Sequence, residues 1–270
     1  MSDPNHLLLR ANLRALKLPV MNREFEALAR DAAAANEPYD RYLLRLTELE
    51  LAQRAAHALE ARIKRADFPL HKDFDTFDFA ALPGLPKHKM LELARGEWIQ
   101  QRTNVCLIGS PGTGKTHLAI ALGLAACRAG YRVRCFTAAG LVNRLEEAQK
   151  QYQLERLLAQ FDRTDLLIID ELGYLSFSRA GAELLFQVFA DRYERASLLV
   201  TSNLPFGDWQ QIFHGERMTA ALLDRLTHRC EIFDMSAESY RFRESMSSVK
   251  AGRRQTTEEN AVEPSCTSSS

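Results

Sequence analysis

The segment Gly109–Thr116 contains the residue types that hold phosphate groups. It reads Gly-Ser-Pro-Gly-Thr-Gly-Lys-Thr, and it lies between an apolar run and a helical pattern. Glycines let consecutive backbone N–H groups turn toward one anion, and the following helix adds the partial positive charge of its N-terminus. We predict that the cradle with its first helical residue binds nucleotide phosphates, through Gly109, Ser110, Pro111, Gly112, Thr113, Gly114, Lys115, Thr116 and His117.

Two members of this segment have predicted roles beyond binding. The Lys115 ammonium reaches the β- and γ-phosphates in such loops, and the Thr116 hydroxyl is a ligand for Mg²⁺. The sequence therefore indicates a site for ATP or ADP with Mg²⁺, in which Lys115 also stabilises the charge that develops during phosphoryl transfer.

A pair of carboxylates, Asp170 and Glu171, ends the apolar run Leu166–Ile169. Open α/β sheets bind their ligands at the carboxyl ends of strands, so these acids are expected beside the phosphate cradle. We predict that Asp170 holds Mg²⁺ through water and that Glu171 polarises the attacking water. Acids at a strand end are common when taken alone, and the cradle makes the catalytic interpretation specific.

A polar amide, Asn203, follows another apolar run, Leu198–Thr201. If this strand lies beside the acid strand, the amide can orient the water from the other side, and we predict that role. The alternative is an asparagine that turns the loop before Pro205, since asparagine is frequent in turns.

Short apolar runs alternate with longer helical patterns from about Lys87 onward. The runs are Val105–Ile108, Val133–Phe136, Leu166–Ile169 and Leu198–Thr201. Continuous apolar strands are typical of a parallel sheet covered on both faces, and helices between them form right-handed crossovers. We predict a doubly wound α/β fold, a parallel sheet flanked by helices.

The segment before this domain is helical in character. Pro19 and the Asn36–Pro38 break divide it into three parts, and in the third the apolar residues, Tyr39, Leu46 and Leu49 among them, recur at helical spacing. We predict a small N-terminal helical domain (1–68), a linker strap (69–86), the ATPase domain (87–245) and a disordered tail (246–270).

Composition limits the classes of function. The chain has 270 residues, 46% of them hydrophobic, and its formal net charge is zero, so any DNA contact must come from a local basic patch. No apolar stretch is long enough to span a membrane, and we expect no membrane partner. The five cysteines form no CxxC pair, which favours a reduced, cytoplasmic protein.

These motifs together resemble the IstB-like family, the ATP-binding helper proteins of insertion-sequence transposons, which are AAA+ relatives of the helicase loader DnaC and the initiator DnaA. The likeness rests on four stretches: Gly109–His117, Asp170–Tyr174, Thr201–Asn203 and Asp224–Leu226. It covers nearly the whole chain, from about Leu13–Pro19 through Phe77–Phe79 to Arg243.

The resemblance implies further roles. Arg225 matches an arginine finger that reaches the ATP of a neighbouring subunit, and Arg241 matches a second sensor arginine. The implied partners are double-stranded DNA, a cognate transposase and further copies of the chain in an ATP-dependent oligomer, helical or ring-like. The implied function is assembly on target DNA with recruitment and activation of the transposase, controlled by ATP hydrolysis.

Two other functions remain open at this stage. A DnaC-like helicase loader would use the same core, and a transposase gene next door would distinguish the two. A small-molecule kinase would need a substrate pocket and a lid, for which the sequence gives no sign. For DNA contacts the candidates are Arg128, Arg132, Arg134 and Lys150, around the helix pair at about 138–161 that faces DNA in related initiators; a solvated charged face is an equal alternative.

Overall fold

The structure is a computed structural model that describes residues 4–236. The chain divides into two compact units, residues 1–62 and 63–270. Arg241 and the segment 246–270, which sequence analysis singled out, lie outside the described residues. No helix in the described part is both long and apolar enough to cross a membrane.

The N-terminal unit is built from three helices, with the breaks at the predicted positions. The helices are α1 (Pro4–Ala15), α2 (Pro19–Ala34) and α3 (Tyr39–Ala66), the last of which continues into the second unit. Their shared core is small and consists of Leu13, Met21, Phe25 and Leu46. The predicted apolar face of α3 is only partly covered, because Tyr39 is 92% exposed and Leu49 is 42% exposed.

A buried carboxylate replaces the missing cap of α2. Leu18 precedes this helix and offers no capping side chain, so the first N–H groups need another acceptor. Glu50 on α3 supplies it, accepting bonds from the backbone N–H of Val20 (2.8 Å) and Met21 (3.1 Å). This contact ties the long helix to the start of α2.

The second unit contains a five-stranded parallel sheet between helices, which confirms the predicted α/β class. The strands are β1 (Asn104–Ile108), β2 (Val133–Thr137), β3 (Leu166–Leu172), β4 (Ser197–Ser202) and β5 (Cys230–Asp234). Their order is β2-β3-β4-β1-β5, with every pairing parallel. The cradle follows β1 and the acids end β3, so β4 lies between the two strands that carry the main motifs.

Helices cover the sheet and connect its strands. They are α4 (Lys87–Leu93), α5 (Glu97–Gln100), α6 (Lys115–Arg128), α7 (Ala138–Lys150), α8 (Leu154–Asp162), α9 (Arg179–Arg192), α10 (Gln210–Phe213) and α11 (Glu216–Thr227). The main core packs α7 against β3 and α9 against β4, and α11 packs against α9. Most residues of α6 are buried, as expected for a helix that lies directly over the sheet.

The fifth strand, β5, is not among the four strands predicted from the sequence. β5 is an edge strand in which only Phe233 is buried, and charged residues interrupt it at Glu231 and Asp234. Such a strand lacks the continuous apolar run that indicates a central strand. Its pairing with β1 brings Met235 beside the start of the cradle, where the Met235 N–H donates to the Ile108 carbonyl at 2.6 Å.

Candidate functional site

The phosphate cradle is a tight loop between β1 and α6. Its backbone needs glycine at two positions, since φ is +78° at Gly112 and +89° at Gly114. A Cβ atom on Gly114 would also lie 2.7 Å from the ring of Phe77, which packs on the loop. The loop ends where α6 begins, at Lys115, so the helix N-terminus points into the cradle. This is the geometry that binds phosphate through backbone N–H groups.

The Lys115 side chain lies along the inside of the loop. It is 9% exposed, and its Nζ donates to the carbonyls of Gly109 (2.8 Å) and Ser110 (2.7 Å). The Thr113 hydroxyl donates to the same Ser110 carbonyl at 2.9 Å, which stiffens the turn. The ammonium group is therefore held at the cradle before any anion binds.

A cluster of hydroxyl groups connects the cradle to the acid pair. The Thr116 hydroxyl donates to Asp170 Oδ1 at 3.0 Å, and the Thr201 hydroxyl of β4 donates to the same oxygen. Thr201 also accepts a bond of 2.9 Å from the backbone N–H of Glu171. Thr201 is 1% exposed and Asp170 is 5% exposed, so these bonds are protected from water. One threonine on the middle strand thus fixes both acids.

Glu171 has an unusual backbone that turns its carboxylate outward. Its φ is +61°, which is uncommon for a residue with a Cβ, and the β3–β4 register shifts between Ile169 and Leu172. Consequently Asp170 is buried against β2 and β4, whereas the Glu171 side chain is exposed and lines the cavity beside the cradle. The two neighbouring acids therefore occupy different environments.

The electrostatic field of Asp170 reaches the neighbouring strand β2. Burial, and after it the charges of Asp170 and Asp67, raise the pKa of Cys135 to about 12. The thiol is therefore neutral at physiological pH, as is typical of a cysteine packed in a core.

Asn203 lies where sequence analysis placed it, after β4 and beside the acid strand. It lines the same cavity as Glu171, and its Oδ1 is buried with no hydrogen-bond partner among residues 4–236. A buried amide oxygen without a partner is costly in a folded protein. A water molecule or ligand in the cavity would satisfy it.

A strap from the segment before α4 closes one side of the site. His117 Nε2 lies 2.7 Å from the carbonyl of Asp73 and 3.3 Å from the Thr76 hydroxyl, and its ring packs edge-on against Phe77. A hydrogen bond from the backbone N–H of Thr76 lowers the pKa of Asp73, so this turn of the strap carries a negative charge. The strap is not fully extended, because Phe79–Ala81 forms a 3₁₀ helix.

The cradle, the acid strand and the strap together enclose a cavity of about 380 Å³. This volume is in the range of sites for small molecules and cofactors. Part of its lining comes from distant segments and was given no role in the site from the sequence: Leu70, Lys72, Thr76, Phe77, Asp78, Ala81, Leu82, Ile120, Tyr174 and Thr201.

Arg225 does not line this cavity. It lies on α11, half-buried, with its guanidinium 5.4 Å from the ring centroid of Phe186 on α9. It has no ion-pair partner in the part of the chain that the structure describes, so its charge is available to another molecule. Arg241, the second arginine implied by the family resemblance, is outside that part.

Solved structures share the fold of the second unit. DnaA from Aquifex aeolicus, bound to AMPPCP, aligns with a TM-score of 0.54 over 68% of this chain and 56% of that chain, at 20% identity. DnaI aligns with a TM-score of 0.50 over 63% of this chain and 90% of that chain, at 16% identity. At these identities the likeness concerns the fold alone.

Sequence comparison is more specific. An ATP-binding protein of insertion sequence IS5376 from Geobacillus stearothermophilus is 42% identical over 85% of this chain and 91% of its own length. The corresponding protein of IS21 from Pseudomonas aeruginosa is 38% identical over 86% of this chain and 88% of its own length. Residues 11–248 match the family model described as IstB-like ATP binding protein. The chain belongs to the IstB-like family of ATP-binding proteins.

Proposed function

We propose that this chain is an ATP-hydrolysing helper protein of transposition that assembles on double-stranded DNA and recruits a transposase. The observation that carries the proposal is the cavity in which the phosphate cradle, the acid pair and Asn203 meet. Relatives named as ATP-binding proteins of insertion sequences support the biological setting and favour transposition over helicase loading.

The residues around Asp170 fit a magnesium ion. The Thr116 hydroxyl gives its proton to Asp170, so its oxygen lone pairs are free to bind a cation, and Asp170 keeps a second carboxylate oxygen for a bound water. Hydroxyl, carboxylate and water oxygens are the ligands that Mg²⁺ prefers. The ion would neutralise negative charge on the nucleotide phosphates. Thr116 and Asp170 are the proposed holders.

The remaining residues of the cavity have separate tasks. Lys115 binds the terminal phosphates, Glu171 accepts a hydrogen bond from the attacking water, and Asn203 orients that water through its unpartnered oxygen. The exposed Glu171 carboxylate and the buried Asn203 oxygen line one cavity, as this division of labour requires.

Arg225 completes the site of a neighbouring copy. Because it does not line the cavity of its own chain and has no described carboxylate partner, it suits a role across an interface. An arginine supplied in this way raises the rate of phosphoryl transfer roughly 10³–10⁵-fold. The rate of ATP hydrolysis would then depend on assembly of the oligomer.

The N-terminal helices (1–68) are the proposed contact for transposase or DNA. The cytoplasm is the proposed location.

The test is the steady-state ATPase rate as a function of protein concentration, with and without double-stranded DNA. We expect the rate to rise faster than linearly with concentration, to increase with DNA, and to collapse in Arg225→Ala. Arg217→Ala is the matched control, since Arg217 is an exposed arginine on the same helix. A rate proportional to concentration, indifferent to DNA and intact in Arg225→Ala would overturn the proposal.

A mixing experiment separates an interface role from a role within one chain. Glu171→Gln keeps Arg225 but removes the water-activating carboxylate, and Arg225→Ala does the reverse. If Arg225 acts across an interface, mixing the two inactive variants restores part of the activity. If both residues serve one active site within a single chain, the mixture stays inactive.

A further inference from the structure

Two arginines share one aromatic ring at the open edge of the sheet. Phe136 lies on the edge strand β2, and the guanidinium of Arg134, on the same strand, is 5.0 Å from its ring centroid. The guanidinium of Arg144, on α7, is 5.7 Å from the same centroid. Phe136 is fixed in turn by an edge-on contact with Phe161 of α8, with centroids 5.8 Å apart. The ring that both guanidinium groups approach is therefore packed against a neighbouring helix.

These two charges lack the partners that Arg132 and Arg192 of the same unit have. Neither Arg134 nor Arg144 has an ion pair within the described range 4–236, and the Nε of Arg134 is buried without a hydrogen-bond partner. Burial, and after it the charge of Arg144, lower the pKa of Arg134, while Asp67 opposes this from beyond ion-pair distance. Arg134 is thus held at a partly buried position with a like charge nearby, which is unfavourable without an anion.

Neighbouring arginines show how the same fold neutralises a guanidinium. Arg132, two residues earlier, is paired with both carboxylate oxygens of Asp165 at 3.0 and 2.7 Å. The buried Arg192 donates to four backbone carbonyls, those of Phe161, Thr164 and Ser197 at 2.9–3.1 Å and that of Asp165 at 3.5 Å. Among residues 4–236, Arg134 and Arg144 have neither kind of partner, so their shared ring is a place where the neutral chain presents local positive charge.

We infer that Arg134 and Arg144 form a contact site for the backbone phosphates of double-stranded DNA. The two guanidinium carbons are no more than about 11 Å apart, because their distances to the shared centroid are 5.0 and 5.7 Å. DNA carries one phosphate per roughly 3.4 Å of rise on each strand, so neighbouring phosphates fall within this span. Planar guanidinium groups bind phosphate through two parallel N–H bonds.

The inference rests on the proposed DNA-dependent function and adds to it the residues and the mode of contact. It predicts sequence-independent binding, because phosphate contacts carry no base information. It also gives a chain of zero net charge a local site for a polyanion, since two arginines without an ion pair among residues 4–236 lie beside one ring.

The experiment compares DNA affinity at several salt concentrations, with ATP analogue present, for the full chain and Arg134→Gln/Arg144→Gln. Each lost phosphate contact reduces the slope of log K against log salt by about 0.9, so the double variant should lose about 1.8. At 0.1 M salt this corresponds to roughly 60-fold weaker binding, taking 1 M salt as the point where the two proteins bind equally.

The matched control is Arg179→Gln/Arg217→Gln, which removes the same charge from two exposed arginines of α9 and α11 that are not among the candidate DNA contacts. It should keep the slope of the unaltered protein. The single variant Arg144→Gln, at an exposed position, should lose about 0.9 of slope and serves if the double variant does not fold.

Two failures are distinguishable. If the unaltered protein binds DNA and the double variant binds with the same slope, the inference is wrong and the proposed function stands. If the unaltered protein binds nucleotide but no duplex DNA at low salt, both the inference and the DNA-dependent part of the proposed function are wrong.

Discussion

Replacing Thr201 by valine tests whether the hydroxyl cluster positions the acid pair. Valine has nearly the same shape, so the change removes one hydroxyl while leaving the packing of β4 in place. Asp170 Oδ1 loses one of its two hydroxyl donors, and the backbone N–H of Glu171 loses its acceptor. Glu171 is then free to leave its φ of +61°, a conformation that the surrounding bonds maintain.

The expected effects on stability and on catalysis have different sizes. A hydrogen bond to a charged group contributes about 1.5–3 kcal/mol, which for a protein of this size lowers Tm by roughly 3–12 °C. A displacement of a catalytic group by about 1 Å costs up to roughly 100-fold in rate. We therefore expect kcat of Thr201→Val to fall about 10- to 100-fold, with little change in nucleotide affinity, because the cradle is intact.

The assay is ATP turnover together with direct measurement of nucleotide binding, for Thr201→Val and Thr201→Ser. Serine keeps the hydroxyl, so Thr201→Ser should recover most of kcat. If Thr201→Val lowers Tm but leaves kcat unchanged, Thr201 has a structural role only. If Thr201→Ser is as slow as Thr201→Val, the methyl group matters instead of the hydroxyl, and the positioning argument is wrong.

Two further predictions concern the cradle and the edge of the sheet. Gly114→Ala should abolish nucleotide binding, measured by titration with an ATP analogue, because the new Cβ would lie 2.7 Å from the ring of Phe77. Gly130 also has a positive φ, but a Cβ there would meet nothing within 4 Å. Gly130→Ala should therefore lower stability and leave nucleotide binding unchanged. Burial raises the pKa of Asp165, but the bonds from Arg132 lower it further, so its folded pKa lies below its unfolded value of about 4. The ion pair therefore stabilises the fold fully above the unfolded pKa. This stabilisation is lost as the pH falls through the folded pKa. Urea unfolding from pH 7 to pH 2 should therefore show a stability gap between the unaltered protein and Arg132→Gln that closes only below about pH 4, and a gap independent of pH would contradict this reasoning.

The parallel α/β fold could be predicted because its central strands are buried on both faces. Their apolar runs and the glycine-rich loop are local patterns, so each is visible within a few residues. β5 lacks such a pattern, since an edge strand needs to bury only one residue here, Phe233. The partial exposure of α3 could not be predicted either, because helical spacing shows which residues share a face and not whether anything covers it.

The contributions of Thr201 and Phe77 to the site could not be predicted for a different reason. In the sequence Thr201 is only the last residue of an apolar run. Its position against the acids of β3 follows from the strand order. Phe77 belongs to a segment more than 30 residues before the cradle, and its contact with Gly114 depends on the path of the strap. Long-range contacts of this kind leave no periodic signal in a single sequence.

The strand order also explains why a threonine is needed at the centre of the site. The cradle strand β1 and the acid strand β3 are not neighbours, because β4 lies between them. Their relative position therefore depends on the register of β4, which is fixed at both ends. At the far end, Arg192 binds the carbonyls of Thr164 and Ser197, just before β3 and at the start of β4. At the site, Thr201 binds both acids of β3. A slip between these two strands would break both sets of bonds, so the fold couples the correct register of its core to the placement of the carboxylates.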